Sequence, residues 1–376
     1  MNHILLNVKE KCTGCGVCAT VCPTSCISYT HDDEGFLSPN IDEKKCIGCG
    51  KCVKHCHLQS SSNHMTKKVQ GQYAVKVKDE RIRMNSRSGG VFVALSDLIL
   101  KQGGAVYGAI LDGVSQVIHI RATTLDKRNK MCGSKYVQSD TTEVWKTLKD
   151  DVQSGKPVLF SGTPCQVEAV YHFFNRDYDN LYLCDCVCHG VPSPLLWKEY
   201  MAYLERKYRA KITAFEFRDK KEHTWESHIE KIDFGERTIY SRRYTNIFCS
   251  NNCLRRSCYE CRYTNMDRIS DFTIADYWGI DDVAPEFNDQ KGVSLLLLRG
   301  EKAVKIFNDI QEDLILIDTI LSPPKHYNLK RPTSMPETRT AFWNDYKNHG
   351  FGFVSRKYGR YDFVRRLKYK WIDKMD

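Results

Sequence analysis

Eight cysteines near the start of the chain have the spacing to hold metal clusters. Cys12, Cys15, Cys18 and Cys22 form the run C-x-x-C-x-x-C-x-x-x-C, with Pro23 next, and Cys46, Cys49, Cys52 and Cys56 repeat it. Three thiolates two residues apart on one loop can take three corners of a cubane, and the fourth cysteine of each run reaches across to the other cubane. The spacing therefore predicts two 4Fe-4S clusters. Cys12, Cys15, Cys18 and Cys56 fall on the first, and Cys46, Cys49, Cys52 and Cys22 on the second. Gly14, Gly16, Gly48 and Gly50 stand between the ligands, where the backbone must turn tightly and bring N–H groups toward sulfur. Zinc modules use ligand pairs rather than triplets with a trailing fourth, which weighs against zinc. Cys26 reads as packing, and His57 replaces the proline that often follows the second run.

Ten cysteines remain. Cys165 follows Gly162-Thr163-Pro164, where Thr163 suits an N-cap and Pro164 the first helical position. That places Cys165 at the positive end of a helix, which favours a thiolate; the plainer reading is a buried structural cysteine. Cys184, Cys186 and Cys188 recur at period two on an expected strand, so they share one face. Most of them read as core, and Cys188, at the strand end before His189, is the one placed to reach a site. Cys249, Cys253, Cys258 and Cys261 crowd one segment, and the C-x-x-C pair within it is a metal or redox signature. A local zinc or iron knuckle made of those four is one use for it.

The elements that would position these groups follow from pattern. Tyr73, Val75 and Val77 alternate as a strand. Ser86-Arg87-Ser88-Gly89-Gly90 precedes an apolar helix from Val91 to Leu100, a start that is either a plain N-cap or an anion site. Residues 104–111 and 116–121 pair as strands around Asp112-Gly113. Cys132-Gly133-Ser134-Lys135-Tyr136 lies in a loop before a helix. Strands are expected at 157–161, 212–217, 228–234 and 294–298, and one from Thr273 runs into a loop at Asp276, a polar contact at its end. Helices are expected at 194–207 and 302–310. The fold class is α+β or α/β: a small bacterial-ferredoxin-like module at 1–60, a linker at 61–68, a larger mixed α/β domain at 69–320 and a polar, basic helical extension at 321–376.

The chain has 376 residues, 41% hydrophobic and 27% charged, as in an ordinary globular protein. No apolar run reaches the ~18 residues of a membrane span, and the first residues lack a secretory h-region. Eighteen cysteines without such a signal predict metal in a reducing cytoplasm rather than disulfides. The formal charge of +10 overstates the holo-protein. Each oxidised cubane with its four thiolates carries about −2, so three would leave roughly +4. No nucleic-acid motif accompanies that charge, and no nucleic-acid partner is expected.

Five motifs in order resemble a known family: S-G-G before a helix, G-S-K-Y, T-P-C-Q, C-H-G-V-P-S-P, and C-Y-E-C followed by D-F-T-I-A-D-Y-W-G. Residues from about 70 to 320 resemble the beta subunit of coenzyme F-420-reducing hydrogenase and dehydrogenase, a group that includes the plant 7-hydroxymethyl chlorophyll a reductase. The ferredoxin module in front looks like the bacterial branch, whose members need not use coenzyme F-420. The resemblance implies an FAD and a third 4Fe-4S cluster. It assigns Cys165, Cys188, Cys258 and Cys261 to that cluster. It sets Ser88, Gly89 and Gly90, with Gly133, Ser134, Lys135 and Tyr136, near the flavin. Where this chain reads A-D, family members more often have G-D, which leaves Asp276 in place.

Two functions follow as expectations. The first is a flavin-dependent iron–sulfur oxidoreductase, passing electrons between the clusters and FAD to reduce or oxidise a two-electron partner. Lys135 would stabilise negative charge on the flavin or bind its phosphate, and His189 is the candidate proton donor. The second is an electron-transfer subunit that docks to a partner enzyme and has no substrate of its own. The partner is thus a redox protein or a small-molecule acceptor, and homo-oligomerisation is left open. Phe363, Leu367 and Trp371 recur every four residues among Arg365, Arg366, Lys368 and Lys370. Such a basic amphipathic helix folds back on its own domain or, less favoured, lies on an anionic membrane.

Overall fold

The computed structural model describes residues 8, 10–59 and 66–359. The expected linker lies largely outside the described residues, and the basic amphipathic helix wholly so. Among the described residues no helix is long and apolar enough to cross a membrane.

Thirteen strands are described. In chain order they are β1 (Ile27–His31), β2 (Leu37–Ile41), β3 (Gly71–Val77), β4 (Ala105–Asp112), β5 (Gln116–Ala122), β6 (Val158–Gly162), β7 (Leu181–Cys186), β8 (Ala214–Glu216), β9 (Glu230–Asp233), β10 (Thr238–Ser241), β11 (Phe272–Asp276), β12 (Ser294–Leu298) and β13 (Leu314–Asp318). β1 and β2 pair antiparallel in the small module, beside two short helices, Val17–Thr20 and Lys51–Lys54. Eight strands make one mixed sheet in the order β13-β3-β12-β11-β7-β6-β4-β5. β4, β6, β7 and β11 run parallel at its centre, and the outer pairings are antiparallel. The fold is therefore α+β with a ferredoxin-like module at its N-terminus.

Helices cover both faces of the sheet, which explains why β12 is buried at all five positions, S-L-L-L-L. Helices Val91–Lys101 and Gly300–Ile310 close one face through Leu95, Ile99, Ile306 and Phe307. Helices Trp145–Gln153 and Pro164–Phe174 close the other through Trp145, Leu148, Val167 and Val170. A third core forms where helix Pro194–Tyr208 meets the β8–β10 sheet.

Part of the region expected as a polar, basic helical extension packs into that third core. Helix Arg339–Lys357 inserts Phe342, Trp343, Phe351 and Val354 beside Trp197 and Tyr200. Four large apolar groups spread along a charged helix do not register as a stripe. Each removes on the order of 2–3 kcal/mol of apolar surface from water, which suffices to dock it.

The small module is bound to the large one through its backbone. Cys15 O accepts from Thr141 Oγ1 at 2.8 Å and Trp145 Nε1 at 3.0 Å. Gln138 donates to Thr13 O at 3.2 Å and accepts from Leu37 N at 3.1 Å. Glu34 pairs with Arg339 from the C-terminal helix, with Nη1 at 2.8 Å from Oε1. Gly35 has φ +81, and a Cβ there would stand 2.2 Å from Leu195 Cβ, so this contact needs glycine.

Candidate redox site

Parallel strands in an open sheet gather ligands at their carboxyl ends. Here β6 ends at Gly162, β7 at Cys186 and β11 at Asp276. The loops beyond them surround a cavity of about 520 Å³. Thr163 and Cys165 come from the first loop, Cys186, Cys188 and His189 from the second, Asp276 and Trp278 from the third. Thr13, Gly14 and Cys15 of the small module close one side, so both parts of the chain build the wall.

In the small module Cys15 and Cys18 lie within electrostatic reach of Cys12 and Cys56, and Cys18 and Cys56 also of Cys52. Cys22, Cys46, Cys49 and Cys52 line a separate small cavity. Cys22 thus lies beside the second run, and Cys56 within reach of the first. Cys26 is not only packing: its sulfur lies 3.3 Å from that of Cys22.

Cys165, Cys188, Cys258 and Cys261 come together from three places in the sequence. Cys165 opens helix Pro164–Phe174, where Gln166 Oε1 accepts from the Thr163 amide at 3.0 Å. Cys188 lies just past β7, and Cys258 Sγ accepts from Val191 N at 3.4 Å. Burial raises all four thiols, Cys165 to about 12 and Cys258 to about 11, and repulsion from neighbouring thiols adds to it at Cys165, Cys188 and Cys258. In the bare protein desolvation at Cys165 opposes the helix dipole that favours a thiolate there. Buried thiols that repel one another ionise only against a bound cation, and this donor set fits an iron–sulfur cluster. Cys253 is shut in the apolar core with Sγ 3.6 Å from Ile247 O, and Cys249 is exposed, so these two stand apart from the four. Among the described residues no three Cys, His, Asp or Glu converge as around a single ion. That is equally true of the eight module cysteines, since a cubane holds its ligands farther apart than one ion does.

The expected flavin segments separate into cavity wall and support. Ser88, Gly90, Gly133, Ser134, Lys135 and Tyr136 line the cavity. Gly89 does not: its N–H donates to Ser294 Oγ at 2.9 Å, and a Cβ there would fall 2.0 Å from Val75 O. Ser88 Oγ is likewise engaged, donating to Val293 O at 2.6 Å. The Ser-Gly turn is thus a close approach of backbone to the sheet. Lys135 Nζ donates to the carbonyls of Lys130, Cys132 and Gly133 at 2.9–3.1 Å. Removal from bulk water pulls its ammonium down to about 7. Asp276 accepts from Arg218 Nη1 at 2.6 Å and is that cation's counter-charge. His189 is exposed at the rim, with Nε2 2.6 Å from Asn251 Oδ1.

Sequence reasoning missed a cationic end of the cavity. Arg218 lies close to Arg87, whose guanidinium burial and Arg218 pull down to about 10. Arg87 Nη1 donates to Arg218 O at 2.9 Å. Lys220 holds the Ser86–Ser88 turn through the carbonyls of Arg83, Ser86 and Ser88 at 2.7–3.2 Å. His228, on the same wall, is held down to about 4 by burial and by Arg218. The run Arg218-Asp219-Lys220-Lys221 was the sequence signal, but a charge run alone reads as solvated surface. An apolar cavity of this size with a few buried cations fits a flavin nucleotide, whose phosphates need cationic partners.

Residues 155–320 match the family described as the C terminus of the coenzyme F420 hydrogenase/dehydrogenase beta subunit. Residues 11–60 match the 4Fe-4S dicluster domain. The chain is accordingly an iron–sulfur protein with an oxidoreductase beta-subunit region. Among solved structures it is similar to the F420-reducing NiFe hydrogenase complex from Methanosarcina barkeri, xenon-derivatised. The two are 16% identical over 70% of this chain and 87% of that one, with a TM-score of 0.49. No curated protein matches the chain.

Proposed function

We propose that this beta-subunit-like chain is a flavin-dependent iron–sulfur oxidoreductase. Residues 1–60 act as its dicluster module, and residues 69–320, braced by helix Arg339–Lys357, as its flavin and third-cluster domain. The observation that carries the reading is the shared cavity, walled by Cys15 of the module, by Cys165 and Cys188, and by Lys135 and Arg218. FAD in that cavity would supply the exchange between single electrons and electron pairs. Lys135 and Arg218 would hold its negative charge, with Asp276 fixing Arg218 in place. Cys165, Cys188, Cys258 and Cys261 would hold the third cluster. His189, anchored to Asn251 at the rim, would deliver a proton to a substrate entering from solvent.

The test is composition followed by turnover. Full-length protein prepared anaerobically should contain about 12 iron atoms and one acid-released FAD per chain. Reduced protein should then pass electron pairs to a small-molecule acceptor without a second protein. Full clusters and flavin without any such turnover would favour the second reading, an electron-transfer subunit of a larger redox complex.

A further inference from the structure

The two halves of the dicluster module face different surroundings. The Cys12–Cys18 loop is covered by the large domain, which donates hydrogen bonds to the carbonyls of Cys12, Thr13 and Cys15. The Cys46–Cys52 loop is turned to solvent. Cys49 is exposed, and Ile47, between two expected ligands, is 67% exposed. A Cβ added at Gly48 would meet nothing within 4 Å. Among the described residues, Ile47 is thus mostly uncovered at the tip of this loop.

The charges around it are mainly of one sign. Lys44, Lys45, Lys51 and Lys54 are exposed, against the acids Asp42 and Glu43. Lys45 is already turned to Asp42 at 3.4 Å. Lys44 precedes the apolar tip in the chain, and Lys51 and Lys54 follow it on the short helix Lys51–Lys54, with Lys51 lining the same small cavity as Ile47. An apolar centre within a ring of like charges is how short-lived redox encounters are built. The charges steer and orient, and a small apolar contact brings the centres close without a large interface.

We propose that the rim of Lys44, Lys51 and Lys54 around Ile47 and Cys49 is the docking site of an acidic one-electron carrier protein. The inference rests on the iron–sulfur reading of the module and adds where electrons cross its surface and what kind of partner brings them. One electron passes per encounter. The carrier is oxidised by one electron and the solvent-facing cluster is reduced by one, with no bond made and no proton moved. Reversal of the flow uses the same face. The inner cluster, pressed against the large domain, then lies between this entry point and Cys165 and Cys188.

Anaerobic stopped-flow reduction of the full-length holoprotein tests this, with a photoreduced acidic plant-type 2Fe-2S ferredoxin as the probe. The wild-type second-order rate should fall steeply as salt rises. A variant carrying Lys44→Glu, Lys51→Glu and Lys54→Glu should be reduced at least tenfold more slowly at low salt, with its salt dependence lost or reversed. Its iron content and its reduction by dithionite should be unchanged. Ile47→Asp should slow the carrier alone. A control with the same charge change elsewhere, Lys127→Glu, Lys211→Glu and Lys305→Glu, should react nearly as fast as wild type. Equal slowing in the control, or an unchanged rate in the rim variant, would overturn the docking site. Wild-type protein without cubane signals on reduction would instead overturn the iron–sulfur reading, and the docking site with it.

Discussion

Arg255 Nε donates to the carbonyl of Cys12 at 2.6 Å, and this one guanidinium also lies within electrostatic reach of Cys165 and Cys258. It is buried, and its Nη1 has no hydrogen-bond partner among the described residues. A buried unpartnered N–H costs on the order of 1–3 kcal/mol, unless an anion stands beside it. Two cubanes, one on each side, would be such anions. Removing the cation disfavours every added electron. Arg255→Leu should therefore lower the midpoint potentials of the first and third clusters and leave the solvent-facing cluster near its wild-type value. Arg255→Lys should recover part of the shift. Potentiometric titration followed by electron paramagnetic resonance reads all three, and unchanged midpoints would refute the role.

Cys56 lies within electrostatic reach of Cys12, Cys15 and Cys18, as well as of Cys52 from its own run. Cys56→Ser should damage the inner cluster and spare the solvent-facing one. Iron should fall from about 12 to about 8 atoms per chain. Spectroscopy that finds the inner cluster intact and the outer one lost would reverse the assignment.

Cys165 and Cys188 separate the third-cluster reading from a local knuckle at 249–261. Cys165→Ser or Cys188→Ser in the full chain should remove about 4 iron atoms and leave both module clusters visible. Cys249→Ser and Cys253→Ser should not. A full iron content in both of the first two variants, or stoichiometric zinc in the isolated protein, would sink the assignment.

Lys135 gives the cavity a pH dependence. Its ammonium, pulled down to about 7 by burial, is charged below that value and neutral above it. Flavin phosphate or a reduced ring should bind more weakly as pH rises through about 7. Loss of one charge-assisted hydrogen bond, about 1.5 kcal/mol, corresponds to roughly tenfold in affinity. Titration of flavin fluorescence from pH 6 to pH 9 measures it. Lys135→Met should bind weakly at every pH, and a slope that persists in this variant would assign the titration elsewhere. In the flavin-free protein the sign reverses for stability. Between about 7 and about 10 the unfolded lysine binds a proton that the folded one has released, so stability rises with pH across that window.

The sequence by itself determined the parts of this protein whose chemistry is local. The two cysteine runs announced cubanes because three ligands lie on one loop, and spacing along a loop survives folding. The N-cap before Cys165, the strand ending at Asp276 and the five-residue buried strand at 294–298 were legible for the same reason: capping and burial on both faces leave a mark within a few residues. Tertiary structure alone decided the rest. It turned the Ser-Gly turn toward the sheet, because Ser294 and Val293 engage its polar groups. It drew the C-terminal helix into the core through Phe342 and Phe351, which lie too far apart to show as a stripe. It made a cavity wall of Arg87, Arg218 and His228, whose loops meet only when the parallel strands end side by side. And it set Arg255 between Cys12 and Cys165, residues 243 and 90 positions away in the chain. Contacts at such separations are fixed by the packing of whole elements, and no pattern within a short window of sequence encodes them.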